Sequence, residues 1–171
     1  MKSNLFTLGY ESASLEDFIS TLKKADIDII IDVRELPLSR RKGFSKNILN
    51  QTLAANGIGY VHLKGLGDPK EGRDAAKAGN MKKFLSVFTG HMRTDRAQSD
   101  LQEAIKLATS HTACLLCFER NHEHCHRTIV ASAIAKVTNQ SVRPIGIPKG
   151  IAASCNYPIV TPMHEHADTF A

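Results

Sequence analysis

Residues 28–33 read DIIIDV, a short apolar run rich in isoleucine that is followed by a loop with proline and glycine. A run of this length and composition is typical of a β-strand covered on both faces, as the strands of a parallel sheet are. Residues 112–118, TACLLCF, form a second run of the same kind. The two stretches predict buried strands of a parallel sheet, and this prediction decides the fold class.

Strands and helices alternate on either side of these two runs. Ser14 is expected to cap a first helix, with Asp17 at the reciprocal position, and Ser45 to cap a second that stops at Gly57. Apolar residues recur at helical spacing after Ser14. Further strands are predicted at 4–10, 58–63 and 142–147, and further helices at 81–88, 97–110 and 125–137, with a short one possible within 64–80.

This order of elements predicts one α/β domain with a mostly parallel sheet of about five strands and helices on both faces. We place the domain at residues 1–147. Residues 148–171 contain Pro148, Pro158 and Pro162 and are predicted to form an extended C-terminal tail.

The composition of the 171-residue chain is that of an ordinary globular protein, with 42% hydrophobic and 23% charged residues. It contains no apolar run long enough for a membrane span and no recognisable secretion signal, so we expect a cytoplasmic protein without membrane contact. Its four cysteines are then expected to be free thiols, metal ligands or catalytic groups. The net charge of +5 favours anionic partners, namely phosphorylated small molecules, nucleotides or nucleic acid.

Residues 116–127, LCFERNHEHCHR, concentrate the unusual chemistry of the chain. They follow a predicted strand and open a helix, where free backbone N–H groups favour an anion and lower the pKa of a nearby thiol. Cys125 and His126 would place a thiol beside an imidazole there, and Arg127 could bind phosphate or carboxylate in a bidentate manner. Glu119 is a candidate acid, base or clamp for Arg127. The alternative is that these residues serve packing alone.

The same segment also permits a metal-binding interpretation, in which a tetrahedral zinc ion takes ligands from Cys117, His122, His124, Cys125 and His126. No CxxC pair lies at a predicted turn, as it would in a zinc ribbon. Cys114 and Cys117 instead lie in one predicted strand, where residues three apart face opposite sides. We therefore predict catalytic roles for Cys117, Glu119, Cys125 and His126, and we predict neither metal ligands nor a cofactor.

Polar residues follow two other predicted strands. In an open parallel sheet the ligand crevice lies beyond the carboxyl ends of the strands, so these residues are expected near residues 116–127. Arg34 directly follows an apolar strand, and Gly9 permits close approach of another backbone. The candidate substrate-binding residues after the two strands are Gly9, Tyr10, Ser12, Arg34, Ser39 and Arg40.

Taken in order, several short motifs resemble those of the family known as DUF488. The matching stretches are TLGYES at 7–12, SLEDF at 14–18, DVRELPLS at 32–39, YVHLKGLG at 60–67, LLCFE at 115–119 and CHR at 125–127. The resemblance covers roughly the first four fifths of the chain and is specific as a set. It implies an α/β fold and a site, but no reaction. The motif positions that it implies are Arg34, Ser39, Cys117, Glu119, Cys125, His126 and Arg127.

Three functions remain open at this point. The first is an enzyme acting on a phosphorylated compound, a nucleotide or a nucleic-acid base. In it Arg34 and Arg127 hold the anion, Glu119 is the acid or base, and Cys117 or Cys125 is the nucleophile or a positioning group. The second is a nucleotide or nucleic-acid binding module without chemistry, and the third is a zinc protein. The first function requires the end of the strand at 28–33 and the start of the helix at 125–137 to share one crevice.

Overall fold

A parallel five-stranded sheet forms the centre of the protein. The computed structural model describes residues 4–156 and 158–162, so the end of the predicted tail, 163–171, lies outside the described residues. The strands are β1 (Asn4–Gly9), β2 (Ile29–Asp32), β3 (Gly59–His62), β4 (Ala113–Cys117) and β5 (Ser141–Ile145), in the spatial order β3-β2-β4-β1-β5. All the pairings are parallel. The predicted α/β fold and its parallel sheet are confirmed.

Helices connect the strands. They are α1 (Leu15–Lys24), α2 (Lys46–Ala55), α3 (Lys70–Lys77), α4 (Met81–His91), α5 (Asp95–Ser110), α6 (His126–Thr138) and the short α7 (Ile151–Ser154). Two 3₁₀ helices, Lys64–Leu66 and His122–His124, occupy loops at the carboxyl edge of the sheet. Across the part of the chain that the structure describes, no helix has both the length and the apolar character that a membrane crossing requires.

The two predicted helix caps have different outcomes. The Ser14 hydroxyl accepts a hydrogen bond from the Asp17 N–H at 3.1 Å, as predicted. Ser45 is the N-cap residue of α2, as predicted, but its hydroxyl makes no hydrogen bond to the start of the helix. It accepts instead from the N–H of Ser39 at 3.0 Å, and thereby holds the loop between β2 and α2 in shape.

Two hydrophobic cores cover the two faces of the sheet, because successive strand residues point to opposite sides. Ile30 packs with α1 and α2, whereas Ile29 and Ile31 pack with the helices that follow β3 and β4. Cys114 and Cys117 fall in different cores, which confirms that they face opposite sides of β4. In α1 the stripe Phe18, Ile19 and Leu22 is fully buried, and each such side chain contributes about 1.5–3 kcal/mol.

The strand order fixes where a crevice opens. After β1 and β2 the chain moves towards β3 through helices on one face, and after β4 it moves towards β5 through α6 on the other face. Strand β4 lies between β1 and β2. The connection after β4 therefore leaves on the opposite face of the sheet from the connections after its two neighbours. In open α/β sheets, ligands bind at such switch points, outside the carboxyl ends of the strands.

Residues after β5 lie against α1 and α2. The carboxylate of Asp17 accepts hydrogen bonds from the N–H groups of Gly150 and Ala152, both at 2.9 Å. Asn56, which ends α2, exchanges two hydrogen bonds with the backbone of Val160. Asp17 therefore binds the segment after β5, rather than the N-terminus of its own helix as its sequence position suggested.

Candidate active site

A cleft of about 480 Å³ opens at the carboxyl edge of the sheet, beside the end of β4. It takes residues from the loops after β1, β2, β3 and β4, which parallel strands bring to one edge. Seven of the predicted site residues line it: Tyr10, Arg34, Ser39, Arg40, Cys117, Glu119 and His126. The structure thus brings the loop after β2 and the start of α6 to one crevice. Gly9, Ser12, Cys125 and Arg127 do not line this cleft.

Arg34 is held in place by protein groups. Its guanidinium donates to both carboxylate oxygens of Asp32 at 2.9 and 2.6 Å, to the Tyr10 hydroxyl at 3.0 Å and to the backbone carbonyl of Phe44 at 2.8 Å. These bonds use four of the five guanidinium N–H groups. Burial alone would lower the pKa of Arg34, but the Asp32 carboxylate outweighs burial and raises it. Arg34 therefore remains charged and orders the loop beneath the cleft, with one N–H left for a ligand.

Tyr10 and Tyr60 pack around the buried ion pair of Arg34 and Asp32. The Tyr10 ring stacks on Phe44 with centroids 4.4 Å apart, and the Tyr60 hydroxyl donates to Asp32 at 2.6 Å. Burial, followed by the Asp32 charge, raises the pKa of Tyr60, so its hydroxyl keeps its proton. The Asp32 carboxylate is thus paired by a guanidinium and a phenol.

Arg127 supports the loop after β4 from behind the cleft. Its side chain is 1% exposed and donates to the backbone carbonyls of Glu119 and Arg120. The expected clamp between the Arg127 guanidinium and the Glu119 carboxylate is replaced by this contact with the Glu119 backbone. The same Glu119 carbonyl lies against Gly9, where an added Cβ would stand 1.7 Å from its oxygen. Arg127 and Gly9 therefore shape one loop together.

The carboxylate of Glu119 lies between two thiols, that of Cys117, which lines the cleft, and that of Cys125, which is buried beside it. Its Oε2 accepts from the Cys117 Sγ at 2.9 Å and from the Cys125 Sγ at 3.3 Å. Burial raises the pKa of Glu119, but hydrogen bonds from the Cys117 thiol, the Glu119 backbone N–H and the Cys125 thiol, together with the His126 charge, outweigh burial and lower the pKa. Burial raises the pKa of Cys125 well above its ordinary value, so this residue is a thiol at neutral pH. Glu119 is thus an ionised carboxylate held by two S–H donors.

His126 connects these thiols to β2. Its Nδ1 lies 3.9 Å from both the Cys117 and the Cys125 sulfur atoms, and its Nε2 donates to the Val33 carbonyl at 2.8 Å. Burial lowers the pKa of His126, but contacts with Cys125, the Val33 carbonyl and Glu119 outweigh burial and raise it to about 9. Cys117, Cys125 and His126 are buried, and their ligand atoms all lie within 4.8 Å of one another.

Asp68 is a cleft residue that the sequence did not single out. It is 5% exposed, and its Oδ1 has no hydrogen-bond partner among the described residues. Burial raises its pKa to about 6, against the charges of His126 and Arg73, which lower it. The residue precedes Pro69 in a charged, glycine-rich stretch that carries no periodic signal. Its position before the first turn of α3 is the one feature that could have drawn attention to it.

Cations and apolar side chains form the mouth of the cleft. Arg73 donates to the Glu35 carboxylate and to the Asp68 carbonyl, whereas Arg40 and Lys77 make no hydrogen bond or ion pair to the described part of the chain. Three exposed apolar side chains stand beside these cations: Leu36, Leu38 and Phe118. The mouth therefore offers both positive charge and apolar surface.

Ser39 and Ser12 occupy different places. The Ser39 hydroxyl faces the cleft and accepts from the Arg41 N–H at 3.1 Å. Ser12 lies in the turn after Tyr10 with a φ of 64°, and it lines a neighbouring cavity that also includes Arg41 and Arg120.

Fold and site together define a parallel α/β protein with a cationic, carboxylate-bearing cleft at its switch point. Residues 14–134 match the family model described as "Domain of unknown function DUF488", and this match covers more than half of the chain. The chain belongs to the DUF488 family, as its motifs suggested. No curated protein and no solved structure shows a significant match to it.

Proposed function

We propose that the protein is an enzyme that binds a phosphate-bearing compound, such as a nucleotide, in the cleft and transfers a proton to or from it. One observation carries the proposal: Asp68 lines a cationic cleft, and its buried Oδ1 has no hydrogen-bond partner among the described residues. A buried polar atom without a partner costs free energy, and in native proteins it calls for a functional reason. A substrate group in the cleft would supply the missing partner.

Proton transfer is favoured by the two carboxyl groups of the cleft. Asp68 has a pKa raised to about 6 by burial, while the pKa of Glu119 is lowered below its ordinary value by the hydrogen bonds and the His126 charge that overcome burial. Two acids whose environments separate their pKa values are typical of acid–base sites. Asp68 can therefore exchange a proton near neutral pH, and Glu119 supplies a fixed negative charge or acts as a base. Cys117 and Cys125 position Glu119.

The anion-binding role falls to the cations at the mouth. Arg40 and Lys77 are exposed and make no ion pair to the described residues, so their charges are available to a phosphate. Arg34 can add its one remaining N–H from below. Exposed Phe118 and Leu38 offer apolar surface to a nucleobase, which makes a nucleotide the favoured form of the ligand. We expect the protein to act in the cytoplasm.

The first test measures binding of inorganic phosphate and of adenosine monophosphate by titration calorimetry. Arg40→Ala and Lys77→Ala should each weaken binding severalfold, and affinity should fall as salt rises. Arg93→Ala is the matched control, because Arg93 is exposed and lies outside the cleft. Equal effects of Arg40→Ala and Arg93→Ala would argue against a phosphate site in this cleft.

The second test asks for chemistry. A panel of nucleotides and sugar phosphates is incubated with the protein, and the products are identified by mass spectrometry. Turnover should be lost in Asp68→Asn and Glu119→Gln with folding intact. Turnover that survives both changes would refute the assigned roles. Binding without any product across the panel would instead favour a non-catalytic nucleotide or nucleic-acid binding module.

A further inference from the structure

Four potential metal-binding atoms meet at the base of the cleft, which Cys117, Glu119 and His126 line and Cys125 adjoins from within the protein. They are the sulfur atoms of Cys117 and Cys125, Nδ1 of His126 and Oε2 of Glu119. The two sulfurs lie 3.9 Å from Nδ1, and 2.9 and 3.3 Å from Oε2. Around a tetrahedral zinc ion, bonds of about 2.3 Å to sulfur and about 2.0–2.1 Å to nitrogen separate sulfur and nitrogen by about 3.5 Å. Shifts of a few tenths of an ångström would bring the two sulfurs and Nδ1 to that separation, and the two sulfur–oxygen contacts would lengthen.

The imidazole is already oriented for this role. Nε2 of His126 lies 2.8 Å from the Val33 carbonyl, which can only accept a hydrogen bond, so Nε2 carries a proton and donates. The other ring nitrogen, Nδ1, is thereby directed at the two sulfurs. A histidine that binds a metal almost always fixes its second nitrogen by such a bond to a carbonyl or carboxylate. The structure thus contains the outer contact that a metal-binding His126 requires.

The burial and the chemistry of the three donor side chains indicate which metal ion they would bind. Cys117 and Cys125 are each 4% exposed and His126 is 6% exposed, so the three donors are shielded from bulk water. Two sulfurs combined with one imidazole favour zinc over the oxygen-preferring ions magnesium and calcium. Within the described residues, no other group of three or more such side chains has ligand atoms this close together.

We propose that Cys117, Cys125 and His126 bind a zinc ion, with Oε2 of Glu119 as the fourth ligand. Both thiols donate to Glu119 in the structure. On binding, both thiol protons, and any proton on Nδ1 of His126, are released to solvent, and two Zn–S bonds replace the two S–H···O contacts. The ion neutralises the two thiolates and holds the start of α6 against the end of β4.

Metal binding here does not depend on phosphate binding at the mouth, although Glu119 takes part in both proposals. With Oε2 bound to zinc, Glu119 would supply negative charge to the cleft and would not act as a base through that oxygen. The mouth cations Arg40 and Lys77 take no part in the zinc site. Their substitution should therefore leave the zinc content unchanged, while loss of zinc ligands should leave phosphate contacts at the mouth in place. The two proposals can fail separately.

The test uses the full chain without a histidine tag, purified under reducing conditions. Elemental analysis should find one zinc per chain, and replacement of zinc by Co²⁺ should give the intense near-ultraviolet thiolate bands and visible bands of a tetrahedral site. Cys117→Ser and Cys125→Ser should each lower zinc affinity by about tenfold or more and weaken the thiolate bands. Glu119→Gln should keep the thiolate bands, because both sulfurs remain.

Cys155→Ser is the matched control, because Cys155 is a free cysteine outside the cluster and should leave both metal binding and spectrum unchanged. Should the cysteine variants fail to fold, the wild-type protein decides the matter, since zinc should raise its Tm and release protons in weak buffer. A folded, reduced wild-type protein that binds neither Zn²⁺ nor Co²⁺ would overturn the proposal, and so would equal losses in Cys155→Ser and Cys117→Ser. Phosphate binding that persists in the metal-free protein would leave the proposed function standing.

Discussion

The imidazole of His126 donates a hydrogen bond to the backbone carbonyl of Val33, across 93 residues of sequence. Val33 directly precedes Arg34, and His126 begins α6, so this bond joins the two sides of the cleft. Both groups are buried, where such a bond is well shielded from competing water. The contact between the end of β2 and the start of α6 is therefore a fixed part of the site.

The close approach of Gly9 to the Glu119 carbonyl predicts that Gly9→Ala is destabilising. A Cβ at this position would stand 1.7 Å from a backbone oxygen, so either β1 or the loop after β4 must shift. We expect a loss of about 1–3 kcal/mol in the free energy of unfolding, measured by urea denaturation. Gly90→Ala is the control, since the space around Gly90 in α4 is open, and it should gain about 0.4–1 kcal/mol. Equal effects of the two changes would contradict this account of Gly9.

The ion pair between Arg34 and Asp32 predicts a large effect of its removal. Arg34→Met leaves a fully buried carboxylate without its cation, and breaking a buried pair in this way costs about 3–5 kcal/mol. The pair between Lys70 and Asp74 offers a matched comparison, because both its side chains are exposed. Lys70→Met should change stability by less than about 0.5 kcal/mol. Unfolding monitored by circular dichroism distinguishes the two outcomes, and a small effect at Arg34 would show that Asp32 finds another partner.

The hydrogen bonds between Asp17 and the segment after β5 predict an acid-sensitive attachment. Hydrogen bonds from Ala152 and Gly150 overcome burial and lower the pKa of Asp17 below its ordinary value of 3.8. Because the folded pKa is the lower one, the stabilisation is complete above pH 3.8 and is lost as the pH falls through the folded value.

Asp17→Asn should therefore be less stable than the wild type at pH 7, and the difference should shrink below pH 3.8. Urea denaturation at several pH values measures it. Glu16→Gln serves as the control, because Glu16 is exposed and accepts no hydrogen bond from the described residues after β5. A difference that does not depend on pH would exclude the Asp17 carboxylate as its source.

The ionised carboxylate of Asp68 should lower the free energy of unfolding, because its burial disfavours the charged form. Burial raises its folded pKa to about 6, so stability falls as the pH rises from 3.8 to about 6 and then stays lower. Asp68→Asn should therefore be more stable than the wild type at pH 8, by about 1 kcal/mol after allowance for solvent screening. The gain should vanish below pH 3.8. Thermal unfolding at pH 4 and pH 8 measures the effect, and lower stability of Asp68→Asn at pH 8 would contradict it.

The sequence predicted the site unevenly. Cys117, Glu119 and His126 were found because they follow a recognisable buried strand and open a helix, and local pattern suffices to locate such positions. Arg34 was found for the same reason, but its pairing with Asp32, Tyr10 and the Phe44 carbonyl was not predicted. Asp68 was missed altogether, since neither its burial nor its place in the cleft leaves a periodic trace in the sequence.

Local sequence determined the strands, the helices and their parallel order in this protein. Short isoleucine-rich runs such as residues 28–33 are typical of strands covered on both faces, and alternation with helices favours a parallel sheet. Tertiary structure alone decided that Arg127 supports a loop from behind while Arg34 and Asp68 face the cleft. Side-chain burial and hydrogen-bond pairing are properties of the packed chain, and they are set by partners that spacing along the sequence does not reveal.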